Sequence, residues 1–384
     1  MKSTNQMTSP SDHITTDDIL HFAFELSSKH WLLSFSNGQG QRTSNQKIDA
    51  RDFSALDRAI SVSKSRFQLS DDCRVVSCYE AGRDGFWLHR YLEQKGIENV
   101  VVDSSSIEVP RRMRRVKTDR LDAESLVRML VRYHGGEHQV WRVLRVPTAA
   151  QEDARRLHRE RDRLKKERTQ HRNRLRSLLA TQGIRLSPGP KFLMLLPTVR
   201  CWDDQPLADF LSAELIREYE RLQLVEQQLK LIEKHIRQAV RRPTTKVQGQ
   251  VLQLSRLRGL GRESSWLLVH EFLGWRRFRN GKEVGSAAGL TGTPYLTGGR
   301  GTDQGISKAG NRRVRALIIE LSWCWLRFQP NSKLSQWFDE RFAHGGKRAR
   351  RRGIVAVARK LLIALWRYLE FGELPEGATL KEAA

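Results

Sequence analysis

Asp119 and Asp122 stand three residues apart in the run KTDRLDA at 117–123, and residues at i and i+3 share one face of a helix. Two carboxylates projecting from a helix start can hold a divalent cation jointly when other segments bring further oxygens to the same place. The pair also suits plain capping, because Thr118 is an N-cap type and acids in a first turn favour the positive end of the helix dipole. Two more carboxylates are candidates for the same cation. Glu25 stands inside the apolar run FAFEL, where a charge is costly unless a cation or a donor meets it. Glu80 follows the apolar run Arg74–Tyr79, where the alternative is a strand-end carboxylate in water.

The elements that must position these acids are legible in order. Residues 1–18 read as a disordered polar lead. His21–Leu26 and His30–Phe35 read as strands of a hairpin, and Lys47–Ile48 ends a third. Phe53, Leu56, Ile60 and Phe67 give Asp52–Phe67 near-helical spacing, and Gly85–Lys95 is amphipathic with Gly96 placed to stop it. Arg74–Tyr79 and Glu98–Val102 are buried-strand candidates, and Thr118–Tyr133 is the helix that carries the aspartates. Three strands, then helix, strand, helix, strand and helix, is the order of a ribonuclease-H-like core. In such a core one acid lies within the first strand, one at the tip of the strand after the first helix, and the last on a late helix. Glu25, Glu80 and the Asp119/Asp122 pair occupy those places.

Charge fixes the class of partner. With 68 Lys+Arg against 43 Asp+Glu, the 384-residue chain carries a formal +25, and 39% hydrophobic residues mark it as folded. Such a surplus on a folded chain points to nucleic acid. A membrane is not expected: the first twenty residues lack an apolar core, and Ile354–Leu369 is interrupted by Arg359 and Lys360. Cys73, Cys78, Cys201 and Cys324 show no C-x-x-C spacing and read as free thiols in a reducing cytoplasm. Arg111, Arg112, Arg114, Arg115, Lys117 and Arg120 lead straight into the acidic pair. Cations beside metal-binding carboxylates fit a phosphate-chain substrate, with a solvated loop as the alternative.

Beyond Pro147, Gln151–Gln182 is a long helical stretch with eleven Lys/Arg between Arg155 and Arg176, among them Arg159, Lys165 and Lys166. Leu157, Leu164, His171, Leu175 and Leu178 give it a thin apolar seam. Leu215, Leu222, Leu229, Ile232, Ile236 and Val240 then recur as in a coiled coil. The two helices read as a stalk for subunit pairing and backbone contact, ended by Pro243. LRGLGRESSW at 257–266 has the form of a helix-hairpin-helix turn, in which Gly259 and Gly261 let the backbone approach a phosphate and Arg262 tilts the reading towards DNA, with plain helix capping as the alternative for the glycines. Residues 288–315 read as a glycine-rich basic loop leading into a helix near Asn311. Thr297 sits in that loop beside Gly298 and Gly299, where its hydroxyl could meet a strained phosphate, or where it is simply a surface threonine in a turn. Lys308, Asn311, Arg312 and Arg313 follow, and Lys347, Arg348, Arg350, Arg351 and Arg352 form a further phosphate-facing cluster. Trp323, Trp325, Trp337 and Trp366 read as core.

YEAGRDGFWLHRYL at 79–92, VVVDSSSIEVPRR at 100–112, KTDRLDAE, LRGLG, AGLTGTPY and DQGISKAGNRRVR together resemble the DEDD transposases of the insertion-sequence one-ten family, relatives of the pilin-gene invertases. The resemblance runs from about residue 20 to 380. It implies an α/β RuvC-like nuclease domain (19–146), a helical coiled-coil linker (147–243) and a mainly helical C-terminal transposase domain (244–384). It also implies Mg²⁺ or Mn²⁺ held by Glu25, Glu80, Asp119 and Asp122, and a hydroxyl nucleophile at Thr297. The partners it implies are the DNA of element ends and target, a structured bridge RNA, and further copies of the chain as dimer or tetramer, in the bacterial cytoplasm at the nucleoid.

Three positions depart from the family pattern: Glu25 replaces aspartate, Thr297 replaces serine, and Gly292 replaces a proline. Glutamate is longer by one C–C bond, about 1.5 Å, and Mg²⁺ wants oxygens at about 2.0–2.1 Å. Threonine keeps a nucleophilic oxygen but restricts χ1. A catalytically impaired RNA- and DNA-binding regulator is therefore the alternative expectation, and a junction resolvase using the four acids without a hydroxyl is a third.

Overall fold

The structure, a computed structural model, describes residues 18–38, 42–107, 118–297 and 300–382. The polar lead at 1–17, the cations Arg111, Arg112, Arg114, Arg115 and Lys117, and Gly298 and Gly299 lie outside the described residues. The chain divides into two compact units, Met1–Val146 and Pro147–Ala384.

In the first unit, strands β1 (Ile19–Leu26), β2 (His30–Ser36) and β3 (Ser44–Asp49) form an antiparallel meander. Helix α1 (Phe53–Arg66) leads to β4 (Arg74–Glu80), and α2 (Trp87–Gln94) leads to β5 (Glu98–Val102). Both later strands run parallel to β1, giving a sheet of order β3-β2-β1-β4-β5. Side chains alternate across a strand, so β1 serves two cores. Leu20, Phe22 and Phe24 pack with Leu56 and Ile60 of α1 and Leu88 and Leu92 of α2. Ala23 faces the other way with Val76 and Cys78, against α3 (Asp119–His134) through Leu126, Val127 and Leu130. Full burial of each such side chain stabilises by about 1.5–3 kcal/mol, against propensity differences of a few tenths. Packing therefore sets where α3 lies.

The second unit begins with α4 (Ala149–Asp153) and α5 (Arg156–Ala180), so the expected single helix over 151–182 is broken near Arg155. After α6 (Phe192–Leu195), α7 (Asp209–Arg241) returns antiparallel along α5. At 1.5 Å per residue its 33 residues span about 50 Å. Leu215, Leu222, Leu229 and Ile236 recur at sevens in its buried face, and Leu164, Leu175 and Leu179 meet it from α5. Leu179 is the fully buried member, and the expected Leu178 packs partly buried against the same core. Ion pairs Arg161–Glu233, Arg172–Glu226 and Arg174–Glu218 at 3.0, 2.6 and 2.6 Å fix the antiparallel register.

Helices α8 (Lys246–Ser255), α9 (Arg262–Leu268), α10 (Gly281–Ala287), α11 (Arg312–Phe328), α12 (Lys333–Phe338) and α13 (Lys347–Phe371) complete the unit. The segment expected as a loop contains a two-stranded hairpin, β6 (Gly292–Thr297) and β7 (Arg300–Ile306). Its sequence GTPYLT is rich in strand formers and is followed by Gly-Gly, a hairpin signal set among many glycines. Trp325 and Trp366 are core, but Trp323 is 42% exposed, because α11 turns only one face inward. All four cysteines are free thiols, and among the described residues no helix is long and apolar enough to cross a membrane.

Candidate active site and nucleic-acid interface

The parallel ladder of β1 and β4 pairs Ile19 with Arg74 and continues to Phe24 with Tyr79. The next residues along it are Glu25 and Glu80. Both line a cavity of about 520 Å³ together with Ser27, Ser28, Gly82, Arg83 and Asp84. Strand parity puts both glutamates on the side of the sheet that packs α3, opposite Phe24 and Tyr79. Glu25 is half-buried and Glu80 exposed.

Helix α3 runs against β1. Near its C-terminal end the His134 ring meets His21 early in β1, with Nδ1 and Nε2 3.5 Å apart. At its middle the Leu126 carbonyl lies 3.8 Å from Cys78 Sγ. Going back four residues to Asp122 covers about 6 Å of helix, and going on two residues to Glu80 covers about 6.6 Å of strand. Asp122 therefore lies toward the same end of the sheet as the glutamates, and Asp119 stands exposed one turn beyond it on the helix. Thr118 caps the helix, its Oγ1 accepting the Leu121 N–H at 3.3 Å, so the capping reading is realised as well.

Glu25 and Glu80 are brought into one cavity. Asp119 and Asp122 share their sheet face and end but do not line that cavity, and among the described residues no three His, Cys, Asp or Glu side chains close on one point. The donors at this end are carboxylate oxygens, the set that suits a hard cation such as Mg²⁺ or Mn²⁺. Arg83 and Asp84, in the YEAGRDG run, were not picked out by spacing because only the fold turns them toward the glutamates. Arg120 is committed elsewhere: its Nε donates to Glu124 Oε1 at 2.9 Å. That bond holds the Glu124 carboxyl below its ordinary range, burial opposes it, and a donor from Asn45 assists.

In the second unit a groove of about 1100 Å³ lies among α5, α9 and α11. Arg161, Arg163, Lys165 and Lys166 enter it from α5, and Arg312 and Arg313 from α11, against the acids Asp162, Glu263 and Glu320. Four expected phosphate contacts, 165, 166, 312 and 313, thus converge although about 145 residues separate the two pairs. Arg313 is 3.9 Å from Asp162, and Arg161 is held by Glu233.

Other expected contacts are placed differently. Arg155 is only 6% exposed and lies over the Trp275 ring at 4.9 Å, which removes it from any phosphate-facing role; the break before α5 turns it into the core. Arg159 gives its guanidinium to Glu271, at 2.7 and 3.1 Å. Gly261 caps α9 and Gly259 adopts φ +86°, where an added Cβ would lie 3.3 Å from the Cys324 carbonyl. Arg262 is exposed at the start of α9. Lys347, Arg348, Arg350, Arg351 and Arg352 crowd the first turns of α13 with no acid in the first. Cations there oppose the helix dipole by about 0.3–1 kcal/mol each, a cost that an approaching polyanion relieves.

Thr297 ends β6 and pairs with Arg300; its side chain lies outside the described ones. The hairpin is clamped at its base. Ser307, Lys308 and Asn311 donate backbone N–H groups to the carbonyls of Thr291, Gly289 and Ala287, at 2.8, 3.2 and 2.9 Å. Arg315 Nη1 donates to the Ala288 and Lys308 carbonyls at 3.1 and 2.9 Å. Gly310, at φ +136°, leaves no room for a Cβ, which would stand 2.4 Å from the Ala287 carbonyl oxygen.

A family model described as Transposase IS116/IS110/IS902 family matches residues 252–336, and a second, a DEDD transposase model of the IS110 group, matches 27–182. The chain is 40% identical over 375 residues to the Sinorhizobium fredii protein that carries the transposase name y4rJ, covering 94% of each chain. It is 27% identical over 263 residues to the transposase for insertion sequence element IS1111A of Coxiella burnetii, 66% of each chain. It is also 26% identical over 185 residues to the transposase for element IS1328 of Yersinia enterocolitica, 48% of this chain and 53% of that one.

Proposed function

Because the chain belongs to the IS110-family DEDD transposases, we propose that it cuts and rejoins DNA with a divalent cation held by Glu25, Glu80, Asp119 and Asp122 and with Thr297 as nucleophile. The observation that carries this reading is the meeting of Glu25 and Glu80 in one cavity, at the end of the sheet toward which the acidic start of α3 runs. Bound there, Mg²⁺ or Mn²⁺ would polarise a scissile phosphate. The residues of the chain do the rest. Glu25, fixed in a strand, and Asp122, fixed on a packed helix, present oxygens without rearrangement. Arg83 offsets the charge of the phosphate brought against them. Thr297 Oγ forms a bond to phosphorus as the bond to the departing ribose oxygen breaks, and that oxygen leaves as a hydroxyl with the proton threonine gives up.

The basic groove among α5, α9 and α11 supports nucleic-acid backbone binding, as do the cations opening α13. We assign the α5–α7 pair to a coiled-coil stalk that joins subunits as a dimer or tetramer, and the α8–α9 turn to a helix-hairpin-helix phosphate contact. A structured bridge RNA would account for positive charge beyond the needs of one duplex. This division keeps a nuclease domain at 19–146, a linker at 147–243 and a transposase domain at 244–384, working in the bacterial cytoplasm.

The test uses full-length protein, an end-labelled DNA junction and Mn²⁺. A covalent protein–DNA adduct is expected with the natural chain and none with Thr297→Ala. Tight binding with no adduct in either protein would sink the proposal and favour the impaired regulator. Cleavage indifferent to Thr297→Ala would favour a resolvase using the acids alone.

A further inference from the structure

Glu271 sits in the π-helical turn Val269–Leu273 that continues α9, with its side chain only 4% exposed. Its Oε2 accepts from His158 Nε2 at 2.8 Å and Arg159 Nε at 3.1 Å, and its Oε1 from Arg159 Nη2 at 2.7 Å and Asn311 Nδ2 at 3.2 Å. A carboxylate only accepts, so the His158 proton facing it is on Nε2. Asn311 in turn spends Oδ1 on the N–H groups of Arg313 and Val314, at 3.0 and 3.1 Å, which starts α11. Its own N–H reaches the Ala287 carbonyl. One buried carboxylate thereby joins the start of α5, the π-turn and the base of the β6–β7 hairpin.

Stability alone does not account for this arrangement, since a buried ion pair is often no better than well-packed apolar residues. What it supplies is orientation. The residues after Asn311, Arg312 and Arg313, line the basic groove, and so do Lys165 and Lys166, farther along the helix that begins near His158 and Arg159.

We infer that Glu271 is a positioning residue for the β6–β7 hairpin: through Asn311 it holds the hairpin base in place and ties it to the α5 wall of the basic groove. The positional part stands on the geometry; its consequence for cleavage rests on Thr297 being the nucleophile.

A second buried carboxylate provides the internal control. Glu218 is 2% exposed and is met by His171, Arg174 and Arg221, at 2.8, 2.6 and 3.1 Å, wholly within the α5–α7 pair and away from the hairpin. Hydrogen exchange would be followed in the full chain carrying Asn311→Ser, Glu271→Gln or Glu218→Gln. Serine keeps a capping oxygen for α11 but is too short to reach Glu271 as the amide does, so this variant cuts the link without emptying the core. The amides of Ser307, Lys308 and Asn311 are expected to lose protection about tenfold or more in Asn311→Ser and Glu271→Gln, and to keep it in Glu218→Gln. Cleavage at saturating DNA should fall on the order of 100-fold with the loss of alignment. Natural protection in Asn311→Ser, or equal loss in Glu218→Gln, would overturn the inference. Lost protection together with an adduct that survives Thr297→Ala would uphold the positioning and discard the nucleophile.

Discussion

Replacing Lys165 and Lys166 by alanine is the sharpest probe of the basic groove. Both are exposed, and both line it together with Arg312. If each neutralises one phosphate, each adds about 0.9 to the slope of log K against log salt. The double variant should therefore bind duplex DNA with a slope shallower by about 1.8. Between 50 and 200 mM salt the natural chain would lose about 12-fold more affinity than the variant, since a fourfold change in salt is about 0.6 log units. Fluorescence anisotropy on a short duplex over that range measures both slopes. Lys95→Ala, on an exposed cation of the first unit near Asp57, gives the background. Parallel slopes for the double variant and the natural chain, within half a unit of each other, would refute the groove as a phosphate-binding surface whatever the change in affinity.

Two further outcomes follow from the first unit. Glu80→Gln keeps the size of the side chain but removes the charge that would hold a cation, so cleavage should fall on the order of 100-fold or more while duplex affinity holds; a cleavage rate within a few-fold of the natural chain would remove Glu80 from the site. His21 is held down at about 4 by burial first, then by His134 and Arg74. Its stabilising contribution is therefore complete above the unfolded value near 6.5 and is lost as pH falls from about 6.5 to about 4, by roughly 3 kcal/mol at most. Thermal melts of the natural chain across that window should drop faster than those of His21→Gln, and parallel curves would show that the ring does not titrate against the fold.

Much of the first unit was legible because its signals are local. The apolar run within His21–Leu26 marked a strand, Thr118 marked a helix start, and Gly96 marked a stop. The second unit was less legible where several interactions compete. Arg155 reads as one more cation in a basic helix, but the helix breaks beside it and Trp275 takes its guanidinium. The glycine content of residues 288–315 concealed the hairpin, whose pairing depends on contacts between residues up to fourteen apart. Glu271 carried no signal at all: it follows an ordinary helical run, and its partners come from 113, 112 and 40 residues away.

By itself, then, the order of residues determined the family and the partner class and named the candidate acids, since motif, net charge and side-chain type are properties of the chain wherever it folds. Only tertiary structure decided which acids meet, that Glu25 and Glu80 share a cavity that Asp119 and Asp122 do not line, and which cations still face solvent. The reason is physical. Burial and directional hydrogen bonding depend on what lies within a few ångströms, and packing the sheet against α3, and α5 against α7, is what sets those neighbours.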